Sequence, residues 1–244
     1  MKVINRIAMW SGPRNLSTAL MRSFSSREDC EVLDEPFYAS YLIKTGLNHP
    51  MRAEIIKTQI NDPRLVAKNC TTGIIKNDIQ YQKQMSHHLA VDFNKDFLKK
   101  LNNAFLIRHP SLVITSFEKK KSEFNFSDLG FQQQHNIFED VANFLGYAPP
   151  VIDATDLRKN PNEKLNLLCN ALGIKFSLKM LTWEKGAHSC DGVWGKHWYS
   201  KTNETFSFDQ KDETIECLPE PSGKHSKMTK KAMFYYENLK KYKI

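Results

Sequence analysis

Four short stretches of this 244-residue chain carry residue types that can do chemistry, and each stands at the end of a strand-like segment. The first is Ser11-Gly12-Pro13-Arg14-Asn15-Leu16-Ser17-Thr18. It follows the short apolar segment 6–10 and leads into Ala19, Leu20, Met21 and Phe24, which give a helix an apolar face. A strand, a tight turn and a helix start together make an anion site. The first N–H groups of a helix are unpaired, and its dipole favours negative charge. Arg14 adds a planar cation whose donor fork suits phosphate, and Ser17 and Thr18 add hydroxyl donors. The stretch lacks the Gly-Lys pair of the G-x-x-x-x-G-K-[ST] loop, which argues against an ATPase or GTPase. An ordinary strand–turn–helix junction capped by Ser17 or Thr18 has the same local sequence. The second stretch pairs Arg108, after the apolar run 104–107, with Ser116, about two helical turns on by the ~3.6-residue repeat. The third is Asp34-Glu35, and the fourth runs from Lys83 to the adjacent His87 and His88.

These residues need elements to position them. Residues 6–10, 31–33, 79–85, 104–107 and 151–153 read as strands. Helices are expected from about Leu16 and over 94–101, 111–120, 128–145 and 161–172, the last closed by Gly173 in a C-cap position. Glu35 precedes Pro36, so its backbone is expected to be extended. Residues 46–72 are polar and weakly periodic and yield no assignment. Strands that alternate with helices predict an α/β fold, a parallel sheet covered on both faces and therefore three layers. In such sheets ligands bind at the carboxyl ends of the strands, near a switch point. All four stretches fall at such ends. No repeat or linker divides the chain, so a single domain over 1–244 is expected.

Composition narrows the function classes. With 41% hydrophobic and 25% charged residues the chain reads as an ordinary globular protein. No apolar run approaches the ~20 residues that span a bilayer, and the N-terminus lacks the pattern of a signal peptide, so a cytoplasmic location and no membrane partner are expected. The five cysteines are scattered and form no CxxC pair, which points to reduced thiols and to no metal site. Net charge is +8, but seven lysines against one acid lie between Lys224 and Ile244. The rest of the chain is nearly balanced, so nucleic acid is not an expected partner. The basic end, residues 226–242, reads as an amphipathic surface helix with Met228, Ala232, Tyr235, Tyr236 and Leu239 on one side.

Taken together, the motifs resemble the sulfotransferase family, whose donor is 3'-phosphoadenosine-5'-phosphosulfate and whose fold is P-loop-like. Pro13-Arg14-Asn15-Leu16-Ser17-Thr18 looks like that family's phosphosulfate loop, P-K-S-G-T-T, with Arg14 in the lysine's place and departures at Asn15 and Leu16. Arg108-His109-Pro110 through Ser116 looks like its 3'-phosphate segment, R-[ND]-P-x-[DE]-x-x-x-S, with departures at His109 and Ser111. Lys185-Gly186 and the following Asp191-Gly192-Val193-Trp194 are similar to its R-K-G…G-D-W segment, at a different spacing. Over the whole chain the likeness is to a bacterial subgroup sometimes labelled aminotransferase-like. Nothing in the sequence singles out the lysine that an aminotransferase needs.

The resemblance implies roles for these residues. Ser11 to Thr18 would cradle the donor, with Arg14 at the phosphosulfate. Arg108 and Ser116 would hold the 3'-phosphate, with Lys185 and Gly186 beside them, and no metal is implied. Two candidates exist for the base that takes the acceptor's proton. Glu35 resembles the Glu-Pro base of carbohydrate-type and bacterial members, and His87 or His88 lies about where cytosolic members carry a catalytic histidine. An unperturbed histidine titrates near pH ~6.5 and serves without tuning, whereas a glutamate must be raised by burial or a nearby anion. Lys83 is either a further phosphosulfate contact or a surface lysine. Residues 183–198 hold three of the four tryptophans and form either a lid or acceptor wall or a packing loop. The expected reaction is sulfuryl transfer to a hydroxyl or amine of a small-molecule or sugar acceptor. A kinase using the same loop and a non-catalytic nucleotide-binding protein are the alternatives.

Overall fold

A computed structural model describes residues 4–121, 123–208 and 218–244. Its frame is one five-stranded sheet, β1 (Asn5–Ser11), β2 (Cys30–Asp34), β3 (Ile79–Met85), β4 (Asn102–Ile107) and β5 (Val151–Asp153). The order is β2-β3-β1-β4-β5 and every pairing is parallel. The chain leaves β1, crosses β3 to form β2, returns to build β3, and then moves to the far side of β1 for β4 and β5. The direction of winding therefore changes at β1, and the switch point lies at its carboxyl end.

Burial along β1 shows why the strand sits centrally. Ile7 and Met9 enter one apolar cluster with Leu20, Phe24, Leu106 and Leu165. Ala8 and Trp10 enter another with Phe105, Phe138, Val141 and Tyr236. Successive side chains of a strand point to opposite faces, so each face has its own core and the architecture is the expected three layers. On β3 the even positions form a buried polar ladder. Gln84 donates to Gln82 at 3.0 Å, Gln82 donates to Gln80 at 2.9 Å, and Arg6 donates to Gln80 at 2.6 Å. The odd positions Tyr81 and Lys83 therefore face the other way, and Tyr81 stacks on Phe24 with ring centroids 4.2 Å apart.

The helices are α1 (Ser17–Ser25), α2 (Tyr38–Thr45), α3 (Arg52–Thr58), α4 (Pro63–Thr72), α5 (Pro110–Glu118), α6 (Phe131–Leu145), α7 (Ala154–Lys159), α8 (Pro161–Ala171), α9 (Gly195–Trp198), α10 (Ser200–Asn203) and α11 (Ser226–Lys240). The stretch 46–72, unassigned from sequence, holds α3 and α4. Ile55 packs under α3, and Val66, Ala67 and Cys70 pack under α4. The long helix expected over 128–145 is divided at Gly130, whose φ is +73°, and the helix expected over 94–101 is a short 3-10 turn, Asp96–Lys100. The basic helix α11 lies where expected, with Ala232, Tyr236 and Leu239 buried and the Tyr236 hydroxyl donating to Asp153 at 2.8 Å. Cys30, Cys70, Cys169 and Cys190 are free thiols, while Cys217 and Met1 to Val3 lie outside the described residues. Among the described residues, no helix is long and apolar enough to cross a membrane.

Candidate active site

Two groups of side chains gather at the carboxyl ends of the strands. The first surrounds the turn between β1 and α1. Arg14 and Leu16 both adopt left-handed backbone there, at φ 64° and 69°. Leu16 stands where the resembling motif has glycine, so the turn keeps a glycine-like shape at a cost of about 1–2 kcal/mol. Gly12 cannot be replaced freely, because a Cβ on it would lie 2.6 Å from the Leu129 carbonyl oxygen. Asn15 is buried and donates to the Leu106 carbonyl at 3.2 Å, so its side chain ties the turn to β4. Ser11 is fully buried at the end of β1, half-exposed Pro13 continues the turn, and Ser17 and Thr18 open α1.

Arg14, Arg108 and Ser116 come together although they are far apart in sequence. Arg14 Nε donates to Ser116 Oγ at 3.0 Å, and Arg108 Nη1 donates to the Arg14 carbonyl at 2.9 Å. Burial lowers the Arg14 guanidinium's pKa, and the neighbouring Arg108 lowers it further. Two like charges at a helix N-terminus form a strongly electropositive spot that an anion would relieve. The departure at His109 also has a physical reading. Its Nδ1 accepts from the Ser111 N–H at 3.3 Å and caps α5. That is the work an Asn or Asp does at this position of the motif.

The second group lies at the ends of β3, next to β1, and of β2 beyond it. Lys83 is buried, and its Nζ donates to Asp34 Oδ1 at 3.1 Å, Glu35 Oε1 at 2.5 Å and the Tyr199 hydroxyl oxygen at 2.5 Å. The Tyr199 hydroxyl lies 2.8 Å from Asp34 Oδ2, to which it donates, and accepts from Trp194 Nε1 at 2.9 Å. Gly192 N–H donates to Asp34 Oδ2 at 3.0 Å. Burial alone would lower the Lys83 ammonium's pKa, but the two carboxylates outweigh it and hold it above the ordinary lysine value. Burial raises Glu35 and Lys83 opposes this, while Asp34 adds to the rise, so the carboxyl sits above its ordinary range. A surface lysine is therefore not what stands at position 83.

Glu35 is not extended. Its φ is +40°, contrary to the rule for a residue before proline. Tertiary hydrogen bonds hold this backbone from both sides. Its N–H donates to the Lys83 carbonyl at 2.9 Å, and its carbonyl accepts from Tyr38 N at 3.1 Å and Gln59 Nε2 at 3.0 Å. Strain of this kind persists only where the surroundings over-determine the conformation, and here it aims the carboxyl at Lys83.

His87 and His88 sit on the turn that ends β3. His88 is stacked between Tyr38 and Tyr41, with centroids 4.4 and 4.7 Å away, and its Nδ1 lies 3.8 Å from Glu35 Oε2. Burial depresses both imidazoles, His87 to about 4 and His88 well below its ordinary value. Both are neutral near pH 7. The structure does not bring Lys185 and Gly186 to either group. Lys185 lines a separate cleft with Ser25, Cys30 and His188 at the opposite end of β2, and its Nζ lies over the Phe206 ring, while the Gly186 N–H donates to the Asn203 carbonyl at 2.8 Å. The spacing of their motif differs from the family pattern, and the chain there runs past the starting end of the sheet.

Sequence reasoning assigned no role to Tyr199 or Arg22, and took Asp191 only as part of a motif and of the segment 183–198. Arg22, fully buried on α1, donates to Asp191 Oδ2 at 2.6 Å and to Asn203 Oδ1 at 3.1 Å, fastening the segment that carries Trp194 and Tyr199. An arginine in an otherwise apolar helix face was the available signal; its partner, about 170 residues away, had none.

A parallel three-layer sheet with an electropositive turn after its first strand defines a P-loop-like α/β protein. Comparison with known proteins narrows the class: the chain matches the sulfotransferase domain family over residues 4–243 and belongs to it. Two relatives in Arabidopsis thaliana, branched-chain-amino-acid aminotransferase-like proteins 2 and 1, are 34% and 36% identical over 87% and 83% of this chain. The chain spans little more than a third of their length, 38% and 36%. The sulfotransferase domain from the curacin biosynthetic pathway shares the fold, with a TM-score of 0.52 at 16% identity over 98% of this chain and 99% of that one.

Proposed function

We propose that this protein transfers a sulfuryl group from 3'-phosphoadenosine-5'-phosphosulfate to a hydroxyl or amine of a small acceptor. The observation that carries this is the convergence of Arg14, Arg108 and Ser116 at the N-terminus of α1. Two guanidiniums and a serine hydroxyl at a helix N-terminus suit a ligand with more than one phosphate. In this reading Arg14 engages the 5'-phosphosulfate once the donor is bound and stabilises charge that develops on the leaving phosphate oxygen. Because arginine does not give up its proton, that help is electrostatic. Arg108 and Ser116 hold the 3'-phosphate.

Glu35 takes the acceptor's proton. A base works best when its proton affinity lies near the operating pH. Glu35 is raised toward that range, whereas His87 is depressed to about 4 and His88 lies below its ordinary value. The Glu35 carboxyl reaches Lys83 on β3, the strand that neighbours β1 and its turn. The transamination in the relatives' name does not suit this pocket. It needs a lysine that can give up its proton, and Asp34 and Glu35 hold Lys83 as an ammonium.

The test is a single-turnover assay with donor labelled in the sulfuryl group, against mixed sugars, phenols, alcohols and amines. Label should move to at least one acceptor, and the Arg14→Ala variant should lose the transfer. Consumption of ATP with the labelled donor left intact would overturn the proposal in favour of a kinase. Donor binding with no transfer to any acceptor or to water would favour a non-catalytic nucleotide-binding protein.

A further inference from the structure

A carboxylate 2.5 Å from a buried ammonium is a poor base, because removing its charge would strand the cation. Glu35 faces that difficulty directly, and the residues around it suggest the remedy. We infer that Asp34 and Tyr199 are positioning residues that keep Lys83 compensated when Glu35 takes a proton. The inference rests on the sulfotransferase proposal for the reaction itself, but its geometry stands apart from it.

Asp34 receives three donors: Lys83 Nζ at 3.1 Å, the Tyr199 hydroxyl at 2.8 Å and the Gly192 N–H at 3.0 Å. Three donors thus occupy the oxygens of this one carboxyl group. Tyr199 in turn receives bonds from Lys83 Nζ and Trp194 Nε1, so its own proton has only carboxylates to go to. Burial, followed by the two carboxylates, holds that proton on Tyr199 far above the ordinary tyrosine value. Asp34 is therefore the counter-ion that the surrounding donors fix in place beside Lys83, and Glu35, raised by burial, is the carboxyl that changes.

The charge count follows. With Glu35 ionised, the pocket holds two carboxylates and one ammonium. With Glu35 protonated, it holds one of each. The groups facing Glu35 from the surrounding elements are Asp34 on β2, Lys83 on β3, His88 on the turn after it, Tyr38 on α2 and Tyr199 between α9 and α10. Among these, Lys83 is the cation and Asp34 the other anion, while His88 is neutral near pH 7. In the transfer, the acceptor oxygen's lone pair forms the new O–S bond. Its proton passes to a Glu35 oxygen. The bond from sulfur to the bridging phosphate oxygen breaks, and its electron pair leaves on 3'-phosphoadenosine-5'-phosphate. The neutral Lys83–Asp34 pair remains.

The experiment follows the glutamate carboxyl carbons by ¹³C NMR across pH in wild type, Asp34→Asn and Tyr199→Phe, with Glu35→Gln to assign the Glu35 signal. In Asp34→Asn the ammonium has Glu35 as its remaining carboxylate, so Glu35 should hold its proton at least tenfold less tightly. Tyr199→Phe removes the hydroxyl that lies 3.3 Å from Glu35 Oε1 and lowers that carboxyl, so it should move the titration the opposite way and by less. It also serves if Asp34→Asn does not fold, since it keeps both carboxylates. The acid limb of any transfer rate should move in step in each variant, with unchanged affinity for 3'-phosphoadenosine-5'-phosphate. An unmoved Glu35 titration in folded variants would overturn the inference and leave Asp34 a purely structural role. The titration needs neither donor nor acceptor. A wild type that binds no bisphosphate would defeat the sulfotransferase proposal without touching this result.

Discussion

The two ends of the candidate site handle charge in opposite ways. At the turn after β1, Arg14 and Arg108 bring two cations together on half-exposed ground, with the main chain and a serine hydroxyl as partners. At the ends of β2 and β3, one ammonium and two carboxylates are sealed under Trp194, Tyr199 and Tyr38. The first arrangement pairs like charges, which suits an anionic ligand. The second is nearly complete in itself and differs from neutrality by one proton. On the proposed function, recognition and proton transfer fall to separate regions at one end of the sheet, and each should be open to disturbance without the other.

The sharpest way to break that division is at Glu35. Glu35→Gln should slow sulfuryl transfer by about 10²–10⁴-fold, as loss of a general base does, while calorimetry finds the affinity for the bisphosphate unchanged. Equal loss of both would merge the two regions. Next comes the fastening of the covering segment. Asp191→Ala leaves the buried Arg22 with the Asn203 amide oxygen but without this carboxylate, and breaking such a buried ion pair costs about 3–5 kcal/mol, to be read from urea unfolding.

Acid should act on the sealed region. His87 and His88 are depressed in the folded state, so their contribution to stability is present above the ordinary value of 6.5 and is lost as pH falls. For His87 the loss runs from 6.5 down to about 4 and amounts to about 3 kcal/mol. Urea midpoints measured across that interval check it, and His87→Gln should flatten the slope. The smallest effect is expected at the cap of α5. His109→Ala should cost about 1 kcal/mol and His109→Asn almost nothing, with thermal unfolding as the readout.

How much of this could be read from the residues differs between the two ends. The turn was legible because its parts are local. An apolar run, Gly12-Pro13 and hydroxyls at a helix start lie within a few positions of each other, and Arg108 to Ser116 keeps a helical spacing. The strands were visible for a similar local reason, β1, β4 and β5 as short apolar runs and β3 by its alternation of Gln with Ile, Tyr and Lys. The Glu35 pocket was only half legible. Asp34-Glu35 and Lys83 stood at strand ends, but Tyr199 reaches them across 165 positions, and no periodicity reports such a contact. The backbone of Glu35 was misjudged because a local rule for pre-proline residues met tertiary hydrogen bonds that outweigh it. Helices α3 and α4 were missed because each buries only one to three side chains, too few to imprint a period. Lys185-Gly186 was drawn to the site by motif likeness, which carries no information about where a long loop goes.

The central claim is that the turn and Arg108 select a nucleotide phosphorylated at both its 5' and 3' positions. Calorimetric titration of 3'-phosphoadenosine-5'-phosphate and 5'-AMP into wild type and Arg108→Ala tests it most directly. The bisphosphate should bind far more tightly than AMP, and Arg108→Ala should erase about 1.5–3 kcal/mol of that margin, roughly ten- to a hundredfold, with AMP little changed. Equal binding of the two nucleotides to wild type, or an unchanged margin in the variant, would contradict it.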